Sequence, residues 1–129
     1  MAMSIVKSGL CKRALVPLSY AIGVAKPLSL SCRPMAQKQG TLTPIGVTNI
    51  VMIAFDCRPG AIAISLVLRE PKYQEIAAYC HFGREAVTKS GMKLFEWENA
   101  KDLSNYKSMN PAQVEAELKG SNYLTKWVD

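Results

Sequence analysis

The sequence predicts an α+β fold, and three observations carry that prediction. A helix-period pattern opens the chain, strand-like apolar runs stand at 15–24 and 61–68, and a capped helix pattern lies near the end at 111–119. A length of 129 residues suits one domain with one core. Hydrophobic residues make up 49% and charged ones 20%, which places the chain among globular proteins and away from disordered ones.

Residues 2–13 put Ile5, Val6, Gly9 and Leu10 on one face and Lys7, Lys12 and Arg13 elsewhere, an amphipathic helix that Gly9 weakens. Residues 15–24 read as a buried strand and 28–30 as the start of its partner. Pro17 is awkward in that strand, because it cannot donate to a ladder. Residues 31–48 show neither period. A short helix is predicted over 48–55, ending before Arg58-Pro59, since the residue before a proline is pushed out of the helical region. The nearly continuous apolar run at 61–68 is the clearest strand, expected to be buried on both faces. Residues 71–79 form a turn or short helix. Asn110 as N-cap, Pro111 in the first turn and Gly120 just past the end frame a helix of two to three turns.

The net charge of +6 suggests nucleic acid until it is located. Residues 1–50 hold Lys7, Lys12, Arg13, Lys26, Arg33 and Lys38 and no acidic residue, while the rest of the chain is balanced. The basic residues are spread out and have no aromatic platform beside them, so no nucleic-acid partner is expected. An acid-free amino terminus also resembles a transit peptide. Residues 14–30 are apolar but hold Pro17 and Lys26 and are too short for a span, so no membrane partner is expected. Cys11, Cys32, Cys57 and Cys80 form no C-x-x-C, and reduced, mostly packed thiols are predicted.

Two strings carry the functional signal: Ser19-Tyr20-Ala21-Ile22-Gly23-Val24-Ala25-Lys26-Pro27 and Ala77-Ala78-Tyr79-Cys80-His81-Phe82-Gly83-Arg84-Glu85. Between them stands Phe55-Asp56-Cys57-Arg58-Pro59-Gly60, and before them Ser4-Ile5-Val6-Lys7-Ser8-Gly9-Leu10-Cys11-Lys12-Arg13. In this order the four segments resemble the carboxy-terminal domain of the S-adenosylmethionine synthetase (methionine adenosyltransferase) family. There the strings recur as S-Y-A-I-G-V-x-x-P, A-A-Y-G-H-F-G-R-(D/E) and F-D-L-R-P-G. The resemblance covers roughly residues 2–30 and 49–85, with a loose echo at Phe95-Glu96-Trp97-Glu98. It implies a two-layer α+β sandwich, one repeat of the synthetase fold, over 1–85, followed by a divergent tail over 86–129. Because the family strings begin by residue 4, no room is left for a removable leader, and a cytoplasmic protein is expected.

The family's reaction, also by resemblance, joins methionine to the 5′ carbon of ATP and hydrolyses the expelled tripolyphosphate. Mg²⁺ and K⁺ are the implied cofactors, ATP and L-methionine the substrates, and a second synthetase subunit, in a homodimer or tetramer, the partner. Stabilising so much negative charge needs cations around the phosphates. The family's G-H-P-D-K-type string and G-G-A-F-S-G-K-D-type loop are both missing here, as is any P-loop or carboxylate cluster. What the resemblance leaves is an apolar wall: Ile22, flanked by Ala21 and Gly23, beside the substrate in a site shared between subunits. On its residue type alone, Ile22 is a core strand residue. The expectation is therefore a chain that does not catalyse alone. The alternative is a noncatalytic fragment that docks on a full-length synthetase subunit.

His81, the only histidine, has no nucleophile or second ligand near it in sequence and is assigned a structural hydrogen-bonding role. Arg84 and Glu85 are expected to form an ion pair, and Trp97 and Trp127 to pack in the tail. Where residues 31–48 stand, the family has a strand ending in an aromatic-Gly-Thr turn and then an acidic helix. Shifting the reading by one base makes the Met35–Ala36 junction spell Gly, and suitable third bases give Thr-Tyr-Gly-Thr from Arg33 onward. A single-base shift near residue 31, reversed before Asn49, is one origin for this stretch; a divergent loop is the other. Met52, Ile53, Val67 (for Asp), Cys80 (for Gly) and Pro17 (for Gln) are further departures, each one base from the expected type. They point to a decayed or truncated gene rather than to new chemistry.

Overall fold

The computed structural model describes residues 1–38 and 42–121, with 36–38 described by their backbone alone. Helix α1 (Ala2–Lys7) is shorter than the pattern over 2–13 predicts. Gly9, at φ +71°, takes the chain out of the helix, and the residues after it become strand. Strand β1 (Cys11–Leu15) follows, then β2 (Leu18–Ser19), β3 (Ser29–Leu30) and β4 (Arg33–Lys38).

These four strands form one interrupted hairpin, with β1 antiparallel to β4 and β2 antiparallel to β3. Arg13 lies opposite Met35, Leu15 opposite Arg33, Leu18 opposite Leu30 and Ser19 opposite Ser29. Pro17 sits at the break. Having no N–H, it leaves the ladder, while its carbonyl still accepts from the Ser31 amide at 3.3 Å. The single strand expected over 15–24 is thereby divided and ends at Ser19, whereas its partner near 28–30 is present. Nor is the strand buried on both sides. Ala14, Val16, Leu18, Leu30 and Cys32 face the core, and the alternate residues Arg13, Leu15, Pro17, Ser19, Ser29, Ser31, Arg33 and Met35 are all exposed. Strand β4 and the start of the next helix occupy the stretch over 31–48 in which neither period was legible.

Helix α2 (Pro44–Ala54) starts four residues before the sequence expectation. Thr43 caps it by accepting from the Gly46 amide at 3.1 Å, and Pro44 supplies a preset first φ. Val47, Ile50 and Val51 turn inward at helical spacing. The Thr48 hydroxyl accepts from the Cys32 amide at 2.9 Å and ties the helix to the hairpin.

The strand expected over 61–68 is a helix, α3 (Pro59–Ser65), and none of its residues is buried. A short apolar run has no period that separates the two states, and Pro59 at the first helical position decides this one. A turn and a short helix, α4 (Tyr73–Ile76), follow, as expected over 71–79. Strands β5 (Val87–Lys89) and β6 (Met92–Leu94) form a tight hairpin whose two turn residues, Ser90 and Gly91, both have positive φ. The fully buried Lys72 donates to the carbonyls of Leu66 (2.9 Å) and Lys93 (2.8 Å), so one ammonium holds the α3–α4 turn against this hairpin.

After short 3₁₀ turns at Glu96–Glu98 and Ser104–Ser108, helix α5 (Pro111–Gly120) closes the described chain. Asn110 and Gln113 form a reciprocal capping box, and Gly120 is the last helical residue rather than the one after it. Val114 is buried against the main core, which also holds Ile5, Leu10, Leu30, Val47, Ile50, Val51 and Leu103. Buried Ser4 and Ser8 accept from the Lys101 and Leu103 amides, binding α1 to this later segment. A second, smaller core contains Ile76, Leu94 and Phe95. The fold is α+β, with three two-stranded sheets among the described residues. No single described helix is long and apolar enough to cross a membrane.

Candidate functional site

The first family-like string forms the tip of the β2–β3 hairpin. The Val24 amide donates to the Ala21 carbonyl at 3.2 Å, and Gly23 holds φ +81° at the third position, the geometry of a type II turn. A Cβ on Gly23 would meet nothing within 4 Å, so glycine is required there by conformation rather than by space. Ile22 occupies the second position and is fully exposed, so it is not the core residue its type suggests. Leu28, across the tip, is exposed as well.

The turn is fixed from below. The Tyr20 hydroxyl donates to the Cys57 carbonyl at 2.8 Å and so joins the first string to Phe55-Asp56-Cys57-Arg58-Pro59-Gly60. That segment is rigid in its own right: the Arg58 guanidinium makes a forked pair with Asp56, at 3.0 Å from Nε to Oδ1 and 2.6 Å from the terminal nitrogen to Oδ2. The Asp56 hydrogen bond and charge push the Arg58 pKa up. Burial, helped by the Asp56 carboxylate, pushes the Cys57 thiol up to about 11. No sequence signal singled out Tyr20, because its role lies in a bond between residues 37 positions apart.

The second string lies in an exposed loop held by the Phe95-Glu96-Trp97-Glu98 segment. Trp97 Nε1 donates to the His81 carbonyl at 2.7 Å, and the Gly83 amide donates to Glu98 Oε1 at 2.8 Å. His81 therefore has a structural role through its backbone rather than its ring. Arg84 donates to the Ala78 carbonyl and lies over the Phe95 ring at 4.3 Å, and among the described residues it forms no ion pair with Glu85. Trp97 packs on the second core as expected, while Trp127 lies outside the described residues. Cys11, Cys32 and Cys57 are buried free thiols and Cys80 is exposed. Tyr79 and Phe82 are exposed aromatics beside Cys80.

A groove of about 690 Å³ runs between α3 and residues 96–101, lined by Phe55, Ile62, Ile64, Leu66, Trp97 and Lys101 among others. Lys101 is engaged there, donating to the Ala54 carbonyl at 2.7 Å and lying over the Phe55 ring at 4.8 Å. The donor set does not fit a divalent-metal site: among the described residues no three His, Cys, Asp or Glu side chains converge. Ala21, Ile22 and Gly23 are brought together at the tip, and no phosphate-binding group stands with them in the turn.

The S-adenosylmethionine synthetase C-terminal domain model matches residues 1–99. The S-adenosylmethionine synthases of Methylorubrum populi and Methylorubrum extorquens are each 40% identical to the chain over 105 residues, which is 81% of this chain and 25% of theirs. The chain thus spans about a quarter of the length of the curated relatives it matches. It belongs to the S-adenosylmethionine synthetase family, of which it carries the carboxy-terminal domain.

Proposed function

We propose that this chain supplies the apolar substrate wall and a subunit-facing surface of a methionine adenosyltransferase, and that it makes no S-adenosylmethionine alone. The observation that carries this reading is the tip turn, where Ile22 is fully exposed on a backbone fixed by Gly23 and by the Tyr20–Cys57 hydrogen bond. Ile22 and Leu28 are exposed together at the tip, and Leu15 and Met35 on the outer face of the hairpin below are about half exposed, an apolar surface that a partner can cover. ATP and L-methionine are the substrates of the whole enzyme in this reading, and the Mg²⁺ and K⁺ it requires are held by parts of the enzyme other than the residues described above. Completed by those parts, the two-stranded sheets become one layer of a two-layer sandwich, in the cytoplasm.

Grafting residues 15–30 into an intact homologous synthase, with Gln in place of Pro17, tests the wall. Ile22→Ala in that graft is expected to weaken methionine and ATP binding while the fold is retained; unchanged binding refutes the substrate role. The purified chain is expected to show no turnover of ATP and methionine above a buffer control. A second reading, a noncatalytic fragment docked on a full-length subunit, is favoured by α3, whose apolar residues are unburied and whose Ile64 is 71% exposed. Co-purification of the chain with a full-length synthase, without any change in its turnover, distinguishes that reading from the first.

A further inference from the structure

Helix α3 is anchored at both ends and unburied between them. At its start, the Arg58 guanidinium grips the Asp56 carboxylate in the forked pair described above. At its end, the buried Lys72 ammonium donates to the Leu66 carbonyl at 2.9 Å. Between these anchors no residue of Pro59–Ser65 is buried, although Ala61, Ile62, Ala63 and Ile64 are all apolar. Ile62, Ile64 and Leu66 line one side of the groove of about 690 Å³, and Phe55, Trp97 and Lys101 line the other. That second wall stands on fixed ground. Phe55 packs against the main core and Trp97 against the second, with the Trp97 ring 5.7 Å from that of Phe95 in a T-shaped contact. Two apolar walls that face each other across an open groove forgo the burial that contact would give, and only the helical wall lacks buried residues to keep it in place.

We propose that α3 is a strap that closes across this groove, swinging between its two anchors to lay Ile62 and Ile64 on Phe55 and Trp97. The residues that flank the helix are its hinges: Arg58 is extended at the near end, and Val67, at φ +53°, turns the chain out of the helix at the far end. An ammonium is a compact donor with three N–H groups, so the bond from Lys72 to Leu66 tolerates a change of direction. Polar groups at the rim keep their partners in the closed form. Asp56 is held by Arg58, and Lys101 donates to the Ala54 carbonyl while lying over the Phe55 ring. Closure needs no second molecule, because both walls belong to this chain. It also has a regulatory consequence: the exposed face of α3 is what the docked-fragment reading offers to a full-length subunit, and a closed strap withdraws it. The strap itself does not depend on that docking, since the contact is made within one chain.

The test is relaxation-dispersion NMR on the full 129-residue chain with labelled isoleucine methyl groups and tryptophan indoles, recorded at two protein concentrations. Ile62, Ile64 and Trp97 are expected to share one exchange process on the microsecond to millisecond scale, with nuclear Overhauser contacts between the Ile64 methyl and the Trp97 indole. Ile64→Ser removes the apolar gain of closing at a position that is 71% exposed, and is expected to abolish that exchange with an unchanged circular dichroism spectrum. Ile45→Ser, on α2 outside the groove and 73% exposed, is expected to leave it intact. Contacts between Ile64 and Trp97 without exchange mean a strap that stays closed, which supports the proposal. Flat profiles without those contacts overturn it. So does exchange that grows with concentration, which assigns the cover to a second copy, and so does exchange that spreads to the α2 and β5–β6 amides, which is unfolding rather than closure.

Discussion

Val67 and Cys80 hold φ values of +53° and +79°, a region that L side chains enter at a cost of roughly 1–2 kcal/mol. At both positions the resemblance noted in the sequence implies another residue, Asp and Gly respectively, two types that tolerate the left-handed conformation. Cys80→Gly is therefore expected to raise stability by about 1 kcal/mol, read as a higher denaturant midpoint with an unchanged slope. An unchanged or lower midpoint contradicts the strain at this exposed loop position. The buried thiols give a pH signature of the opposite kind. Burial first, then Asp56, raises Cys57 to about 11, and burial first, then Cys11, raises Cys32 to about 11, against an ordinary value of 9.0. A thiol with a raised folded pKa favours the folded state fully below its unfolded pKa and loses that contribution as pH climbs to the folded one. Stability is thus expected to fall between about pH 9 and 11, and replacing Cys57 with Ala is expected to flatten that part of the profile. A thermal melt whose midpoint is equal at pH 8 and pH 10.5 counts against it.

Among the elements, α5 has the most complete local specification, and its start was legible in sequence because Asn110, Pro111 and Gln113 sit in the order a capped helix requires. Asn110→Ala removes the acceptor for the Gln113 amide and is expected to cost about 1 kcal/mol by chemical denaturation. A cost indistinguishable from zero contradicts a stabilising role for the cap. The other elements show why sequence reading reached some of the fold and missed the rest. The core-facing Leu18 and Leu30 are legible as strand residues, whereas Pro17, awkward within one continuous strand, marks the break between β1 and β2. The 61–68 run resembles a strand because its eight apolar or small residues carry no period, and the deciding residue, Pro59, lies just outside it. The β4 strand is mixed in character, with Cys32 leading in and Arg33 and Met35 pointing out, so its half-buried pattern was obscured. The β5–β6 hairpin is absent from the sequence expectation, although its turn carries the Ser90-Gly91 dipeptide. At the site, the strand expected over 15–24 gives way to the turn around Gly23, and the Tyr20–Cys57 and Trp97–His81 bonds depend on tertiary folding that no spacing encodes.

At the scale of the whole molecule, the two cores share no buried residue, and Lys72 holds the end of α3 to the hairpin of the smaller one. The second core has only Ile76, Leu94 and Phe95 fully inside, too little apolar burial to hold a two-stranded hairpin by itself. Around both cores the chain leaves Ile22, Leu28, Ile45, Ile64, Tyr79 and Phe82 in water, on the hairpin tip, on α2 and α3, and on the second-string loop. Single exposed apolar residues are ordinary, but here all except Ile45 fall within the stretches of family resemblance, and Ile64 lines a groove of about 690 Å³. Hydrophobic surface presented at several places favours association whenever no natural cover is present, while the charge of +6 opposes it only at low salt. The isolated chain is therefore expected to self-associate with rising concentration, more so as salt increases, and to melt broadly because the smaller core opens before the larger. Sedimentation velocity across a hundredfold concentration range, beside a calorimetric scan, checks both statements. A monomer throughout, with one sharp transition whose calorimetric and van't Hoff enthalpies agree, shows that the two cores are one cooperative unit needing no partner.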